Sequence, residues 1–203
     1  LGGTPPYGYD LRYESDRGEF LFVVRFMPDG TKQILNAKGR CTRTLERGEA
    51  LSISKRDRAK LVPSSAERVE VIRSIFWLYT EERRGLSAIS SWLNTSGAPT
   101  PRGPAWSPIY DGRWRDGSVR AILLNPLYTG DMVWNRRTDA RFHRIAGGRV
   151  VERREAHGAR LVPNDKADWM IVRDSHEALI SRRTWEAAQR LREERTSLGE
   201  PLE

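Results

Sequence analysis

Short apolar runs separated by turn signals predict β-strands in the first part of the chain. Tyr9–Tyr13 and Phe20–Phe26 are rich in aromatic and β-branched residues, and a Pro-Asp-Gly turn at 28–30 precedes a third run at Lys32–Leu35. These runs predict a small antiparallel meander. The stretch from 36 to 58 is polar and has little periodicity, so we expect a loop with some helix there.

After residue 63, apolar residues recur every three or four positions, which predicts α-helices. A first helix is expected to end at Gly85, and a second helix to close with Asn94 and Gly97. A short third helix is expected to start near 116–118 and to end at Asn125-Pro126. The side chains of the first helix expected in the core are Val69, Ile72, Ile75, Phe76, Trp77 and Tyr79.

The remaining pattern predicts a β wing followed by a last helix. Strands are expected at Tyr128–Asn135 and Asp168–Val172, a basic hairpin at Arg141–Glu155, and a helix from Ser181 to Arg195. The predicted fold class is therefore α+β. It has a small antiparallel N-terminal sheet, a helical core resembling a helix-turn-helix, a β wing or hairpin, and a C-terminal helix.

Composition shifts along the chain indicate three segments. Residues 1–60 are expected to hold a linker and the small β meander, and residues 61–197 the helical core with its basic wing. The opening Gly- and Pro-rich run indicates a linker cut from a larger protein. Residues 198–203 are polar and expected to be a disordered tail, in which Leu202-Glu203 is typical of a cloning scar.

The net charge of +8 is concentrated in one part of the chain. Between Pro101 and Arg160 there are twelve arginines, no lysine and six acidic residues. Arginine is suited to bidentate contacts with phosphate and guanine, so this stripe favours a nucleic-acid partner. The open alternative is a solvated basic surface whose arginines form ordinary salt bridges.

Other functional classes receive little support. No apolar run approaches the ~20 residues of a membrane span, and no secretion signal opens the chain, so we expect a cytoplasmic protein without a membrane partner. The single Cys41 excludes an internal disulfide and a multi-cysteine zinc site. His143 and His157 have no recognised ligand spacing, and His176 is expected to be structural, so we expect no metal and no other cofactor.

The segment from Leu93 to Arg137 has the order that a major-groove reader requires: helix, turn, short helix and basic strand. Val119, Ile122 and Leu123 would face the core, which leaves Ser118 as a phosphate contact and Arg120 as a base or phosphate contact. Trp106 is expected to be a core residue. The full set of expected DNA-binding residues is Thr100, Arg102, Arg113, Arg115, Ser118, Arg120, Arg136, Arg137 and Arg144.

Motifs in a fixed order extend this interpretation. PPYGYDL, PTPRG, ILLNPLYTG and HEALIS follow one another between Pro5 and Leu191, and together they resemble the recombinase domain of the large serine recombinases. That family includes phage integrases and the recombinases of transposons and cassettes, which are mobile elements. The resemblance implies that the chain binds duplex DNA at a recombination site.

The resemblance also implies that this segment is one domain of a larger enzyme whose domains have separate functions. A separate domain with a serine nucleophile would cut and rejoin DNA, and a cysteine-rich zinc ribbon would follow this segment. We therefore expect no catalytic residue in this chain, and self-association through the other domains. The alternatives are a stand-alone winged-helix transcription regulator and a basic RNA-binding module.

Overall fold

In the computed structural model, the N-terminal part of the chain forms a five-stranded antiparallel sheet. The model describes residues 4–105, 109, 111–135, 137–138, 143–147, 149–152 and 162–197. The strands are β1 (Tyr9–Glu14), β2 (Phe20–Phe26), β3 (Lys32–Leu35), β4 (Cys41–Leu45) and β5 (Arg58–Pro63), in the sheet order β4-β3-β2-β1-β5.

The strand β1 supplies the sheet with its core. Tyr9, Leu11 and Tyr13 are buried, and Leu11 lies opposite Val24 on one side and Leu61 on the other. Burial of these aliphatic and aromatic side chains is the main force that holds the strands together. The predicted meander of β1, β2 and β3 is confirmed.

The prediction of a loop with some helix over residues 36–58 was wrong, because the segment contains β4 and the start of β5. Strand β4 lies at the sheet edge, and every residue from Cys41 to Thr44 is exposed, so no apolar alternation reveals it. A local turn sets its position instead: the Asn36 side chain accepts hydrogen bonds from the backbone N–H groups of Lys38 and Arg40.

Four helices follow: α1 (Ala66–Thr80), α2 (Leu86–Thr95), α3 (Asp116–Leu123) and α4 (Arg182–Ser197). Helix α1 packs against each of the other three. It ends before Gly85, since the chain takes a left-handed conformation at Arg83 (φ 54°). The Arg195 guanidinium on α4 donates hydrogen bonds to the carbonyl oxygens of Arg83 and Arg84 just beyond that end.

Trp77 corrects the expected core of α1. Ile72, Ile75 and Phe76 are fully buried, as predicted, but Trp77 is 53% exposed. It lies five positions after Ile72, and at about 100° per residue that places it on the opposite side of the helix. Its large apolar side chain suggested a core position that the helical period does not allow.

The contacts between residues divide the chain into two compact units. The first comprises Leu1–Asn125 and Leu179–Glu203, and the second comprises Pro126–Ala178. The sheet and the four helices belong to the first unit. The second unit consists of two 3-10 turns and three strand pairs within the part of it that the structure describes. Its elements are the turns Pro126–Thr129 and Lys166–Asp168 and the strands β6 (Met132–Trp134), β7 (Arg137–Thr138), β8 (His143–Ala146), β9 (Arg149–Glu152), β10 (Val162–Pro163) and β11 (Met170–Val172).

In the second unit β6 pairs with β11, β7 with β10 and β8 with β9, all antiparallel. The predicted hairpin is confirmed as β8–β9. The strand expected over Tyr128–Asn135 is shorter, because its first part forms the 3-10 turn and the backbone at Asn135 is left-handed (φ 59°). The predicted tail at 198–203 lies outside the described residues. No described helix is long and apolar enough to span a bilayer.

Candidate nucleic-acid interface

Helix α3 presents a narrow polar face while its apolar face is buried. Val119, Ile122 and Leu123 are buried, as their spacing predicts. Arg120 is exposed and Ser118 is half-buried. The helix is anchored through Asp116, whose carboxylate accepts a 2.6 Å hydrogen bond from the buried Ser90 hydroxyl of α2.

The connection between α2 and α3 is much longer than the turn of three or four residues typical of a helix-turn-helix. It runs from residue 96 to residue 115. Helix α2 is closed first, by Gly97 in the left-handed region (φ 69°) and by a hydrogen bond from the Ala98 N–H to the Leu93 carbonyl. The helix-turn-helix expected from the sequence therefore stays a prediction.

Trp114 ties the far end of this connection back to its start. The Asn94 side chain accepts a hydrogen bond from the Trp114 N–H (2.8 Å) and donates one to the Trp114 carbonyl (3.0 Å). The buried indole donates to the Ala98 carbonyl (3.1 Å), and the Tyr7 ring meets it edge-on at 5.3 Å. The Tyr7 hydroxyl donates to the Pro99 carbonyl (2.6 Å). We call Tyr7, Asn94 and Trp114 the Trp114 anchor.

The N-terminal sheet holds the PTPRG turn that follows. The buried Gly103 donates its N–H to the Pro28 carbonyl (2.8 Å), and Arg47 donates to the Ala105 carbonyl (3.0 Å). Thr100 uses its hydroxyl within the turn, as a donor to the Arg102 carbonyl (3.2 Å). The turn is thus fixed by backbone groups, while the Arg102 side chain is exposed.

The arginines around α3 differ in whether the guanidinium group already has an ion-pair partner. Arg115 forms an exposed ion pair with Asp111 (3.0 Å). Desolvation raises the pKa of the Asp111 carboxyl, but the Arg113 N–H and the Arg115 charge together outweigh it, and the pKa is lowered. Arg113 and Arg120 are exposed, and neither side chain has a partner among the residues that the structure describes.

Arg120 also borders a small apolar pocket between α3, α1 and α4. Gln189 lines the pocket and donates to the Leu123 carbonyl (2.8 Å). Arg192 lines the same pocket, and its buried Nε has no acceptor in the described part of the chain. Sequence reasoning did not single out Arg192 or the Trp114 anchor, because the contacts that give them a role join distant parts of the chain.

The other expected contacts remain predictions. Arg136 and Trp106 lie outside the described residues. Arg137 and Arg144 are described only through the backbone of β7 and β8.

Two sequence motifs meet within the second unit. His176 of HEALIS has its Nε2 2.8 Å from the Leu127 carbonyl of NPLYTG, so this nitrogen carries the proton, and its Nδ1 lies 2.8 Å from the Ser175 hydroxyl, which is also 3.2 Å from the Gly130 carbonyl. Ser175 also donates its backbone N–H to the Gly130 carbonyl (2.9 Å). These contacts are consistent with the structural role expected for His176.

Groups of three or more His, Cys, Asp or Glu residues able to hold a metal ion are absent from the described part of the chain.

A helical core with exposed arginines around a short, firmly held helix is typical of nucleic-acid-binding domains. A family model described as Recombinase matches residues 66–195, well over half of the chain, and the chain belongs to that family. This match confirms the resemblance to the recombinase domain of serine recombinases. Membership gives the chain a role in site-specific recombination and implies an interaction with DNA. No curated protein matched the chain.

Proposed function

We propose that this domain binds duplex DNA in a sequence-specific manner through α3 and the residues just before it. The observation that carries the proposal is the set of exposed arginines at 113, 115 and 120, held around a helix whose other face is buried. A short helix with one buried face and a cationic outer face fits the geometry of major-groove readers.

The arginines differ in their expected roles. Arg113 and Arg115 precede the helix, and guanidinium groups in that position suit phosphate contacts that fix orientation. Arg120 lies one turn into the helix on the exposed face, next to Ala121, and is the best candidate for contact with a base edge. Ser118 and Arg102 would add phosphate contacts, and Arg136, Arg137 and Arg144 would act from the wing.

Catalysis is proposed to lie outside this chain. The residues around α3 can bind and orient DNA, but they offer no nucleophile with an adjacent base. Strand exchange would be performed by a separate serine catalytic domain, which this domain positions at an attachment site. Neither a metal nor an organic cofactor is required for that positioning, and self-association would occur through the other domains.

Selection of bound sequences from random duplex DNA tests the proposal. We expect one or two enriched half-site motifs. Replacing Arg113, Arg115 and Arg120 together by alanine should abolish the enrichment. A matched control replaces Arg58 of β5 and Arg17 and Arg40 of the connections between strands, which are all exposed, and removes the same charge.

Three results would contradict the proposal. The first is the absence of any enriched motif with the unmodified protein. The second is an equal loss of binding in the two triple variants, which would reduce the interaction to net charge. The third is tighter binding to structured RNA than to every duplex, which would favour an RNA-binding module instead.

A further inference from the structure

We infer that the Trp114 anchor is a positioning device, which sets the sequence specificity of α3 through the N-terminal segment at Tyr7. This inference rests on the proposed function. The anchor joins three distant parts of the sequence at the start of α3. Those parts are the segment at Tyr7, the end of α2 at Asn94 and the residues on either side of Trp114.

The anchor fixes the backbone on both sides of Trp114, and so the direction in which two arginine side chains leave that backbone. Trp114 is 3% exposed, whereas its neighbours Arg113 and Arg115 are both exposed. Because both backbone polar groups of Trp114 bond to one rigid amide on α2, the peptide planes on each side of it are fixed. The two arginines therefore leave the surface in set directions, just before the helix that carries Arg120.

The same contacts fix the PTPRG turn relative to α3. The Trp114 indole bonds to the Ala98 carbonyl, and the Tyr7 hydroxyl bonds to the neighbouring Pro99 carbonyl. Burial raises the pKa of the Tyr7 phenol well above its usual value, so the hydroxyl stays protonated and remains a donor. Thr100 and Arg102 follow directly, so Tyr7 controls both sides of the expected interface.

Positioning acts on specific binding more than on non-specific binding. A base contact requires one arrangement of the arginines, and a domain that holds this arrangement only part of the time loses apparent affinity in proportion. Non-specific binding depends on phosphate attraction, which tolerates several arrangements. Loosening the anchor should therefore lower the ratio of specific to non-specific affinity, while simple destabilisation would lower both alike.

The test compares Tyr7→Phe with Tyr13→Phe on purified protein shown to be folded. Each variant removes one tyrosine hydroxyl, from the half-buried Tyr7 or from the buried Tyr13, which lies on β1 away from the anchor. We expect Tyr7→Phe to lower the affinity ratio, for the selected half-site against random duplex, by about tenfold. Tyr13→Phe should leave the ratio unchanged.

Two variants of Asn94 separate its hydrogen bonds. Asn94→Ala removes both bonds to Trp114 and should lower the ratio further than Tyr7→Phe does. Asn94→Asp keeps an acceptor for the Trp114 N–H and should restore part of the loss. An unchanged ratio in Tyr7→Phe and Asn94→Ala, with the Arg113→Ala and Arg120→Ala variants still impaired, would overturn the inference and leave the proposed function intact.

Amide hydrogen exchange supplies a readout that does not depend on DNA. We expect Tyr7→Phe to speed exchange at Gly103 and at Trp114 while the middle of α1 keeps its protection. Unchanged exchange at both positions would overturn the inference even if an alanine variant failed to fold. Absence of any preferred sequence in the unmodified protein would instead refute the proposed function.

Discussion

Single residues of the proposed interface are distinguished by whether their charge already has a partner. The ion pair between Arg115 and Asp111 is exposed, so it contributes little to stability and opens readily when a phosphate competes for the guanidinium. For Arg113 and Arg120, no ion pair within the described residues has to open before the guanidinium contacts DNA. A guanidinium without a partner in the described part of the chain is the better candidate for a bidentate contact, because nothing has to be broken first.

Arg120→Ala should weaken binding to the selected half-site by roughly 1–3 kcal/mol, the usual value of one bidentate base contact. Alanine is a good helix former, so α3 should persist. Fluorescence anisotropy with specific and random duplexes measures the effect, and Arg58→Ala on the sheet is the charge-matched control. Equal losses of affinity on both duplexes would show that Arg120 contacts phosphate only.

His176 makes the stability of the second unit depend on pH. Burial lowers its pKa below the ordinary value of about 6.5, and this outweighs the hydrogen bond to Leu127 and the nearby charge of Asp131, which raise it. Since the unfolded chain binds the proton more readily, stability is full above about pH 6.5 and is lost as the pH falls.

We expect the urea midpoint of the unmodified protein to fall between about pH 7.5 and about pH 5.5, the range that brackets the histidine pKa. His176→Gln should be less stable at the higher pH, because it loses the ring contacts. Its midpoint should fall less over the same range. Parallel curves for the two proteins would contradict the assignment of the pH effect to His176.

At the scale of elements, the structure depends on a few close backbone approaches. Gly130 has φ +88°, and a Cβ built there would lie 2.8 Å from the His176 carbonyl oxygen. Glycine is therefore required at position 130 for two reasons: the positive φ, and the lack of space for a Cβ. This contact joins the NPLYTG and HEALIS motifs.

Gly130→Ala should cost more stability than Gly18→Ala. Gly18 has a similar φ of +83°, but a Cβ there would meet nothing within 4 Å. The control should cost about 1–2 kcal/mol from backbone strain alone. Gly130→Ala should cost a further 1–3 kcal/mol or so, because a backbone oxygen must move. Urea unfolding of both variants measures the difference, and equal costs would refute the close approach.

Elements with a clear hydrophobic period could be predicted from the sequence. Strands β1–β3, helices α1–α4 and the β8–β9 hairpin were found in this way, although some ends were misplaced. Strand β4 could not be found, because an exposed edge strand needs no apolar face. Trp77 was misassigned because residue type suggested burial where the helical period did not.

The candidate site could be predicted only in its local part. The exposed face of α3 follows from the spacing of Val119, Ile122 and Leu123. The Trp114 anchor does not, since Tyr7 and Pro99 are far apart in sequence and Asn94 meets Trp114 across a long connection. The Arg-Trp-Arg run at 113–115 was the available signal: an apolar residue between two charges often faces inward.

At the scale of the whole molecule, the first unit is discontinuous along the chain. It stops at Asn125 and resumes at Leu179, and the family match at residues 66–195 includes parts of both units. Expected DNA contacts likewise fall in both, with Arg120 in one and Arg136 and Arg137 in the other. The net charge of +8 makes all of them sensitive to salt.

Replacing Arg136 and Arg137 together by alanine should lower the affinity for specific and random duplexes alike. It should also flatten the dependence of log K on log salt concentration by about one unit for each phosphate that the variant no longer neutralises. Titrations at several salt concentrations measure the slope, with the Arg17 and Arg58 double alanine variant as the control. An unchanged slope would remove the predicted wing from the interface.

The long connection between α2 and α3 has its two ends tied together by Asn94 and Trp114. A segment closed at its base can change length at little thermodynamic cost, since doubling such a loop adds only about 0.6 kcal/mol of closure entropy. The residues between the PTPRG turn and Arg113 can therefore be lengthened, shortened or exchanged while the bonds of the Trp114 anchor stay in place. Recombinases with a new target preference could therefore be evolved or engineered by grafting a different loop at this place. The four helices would stay unchanged.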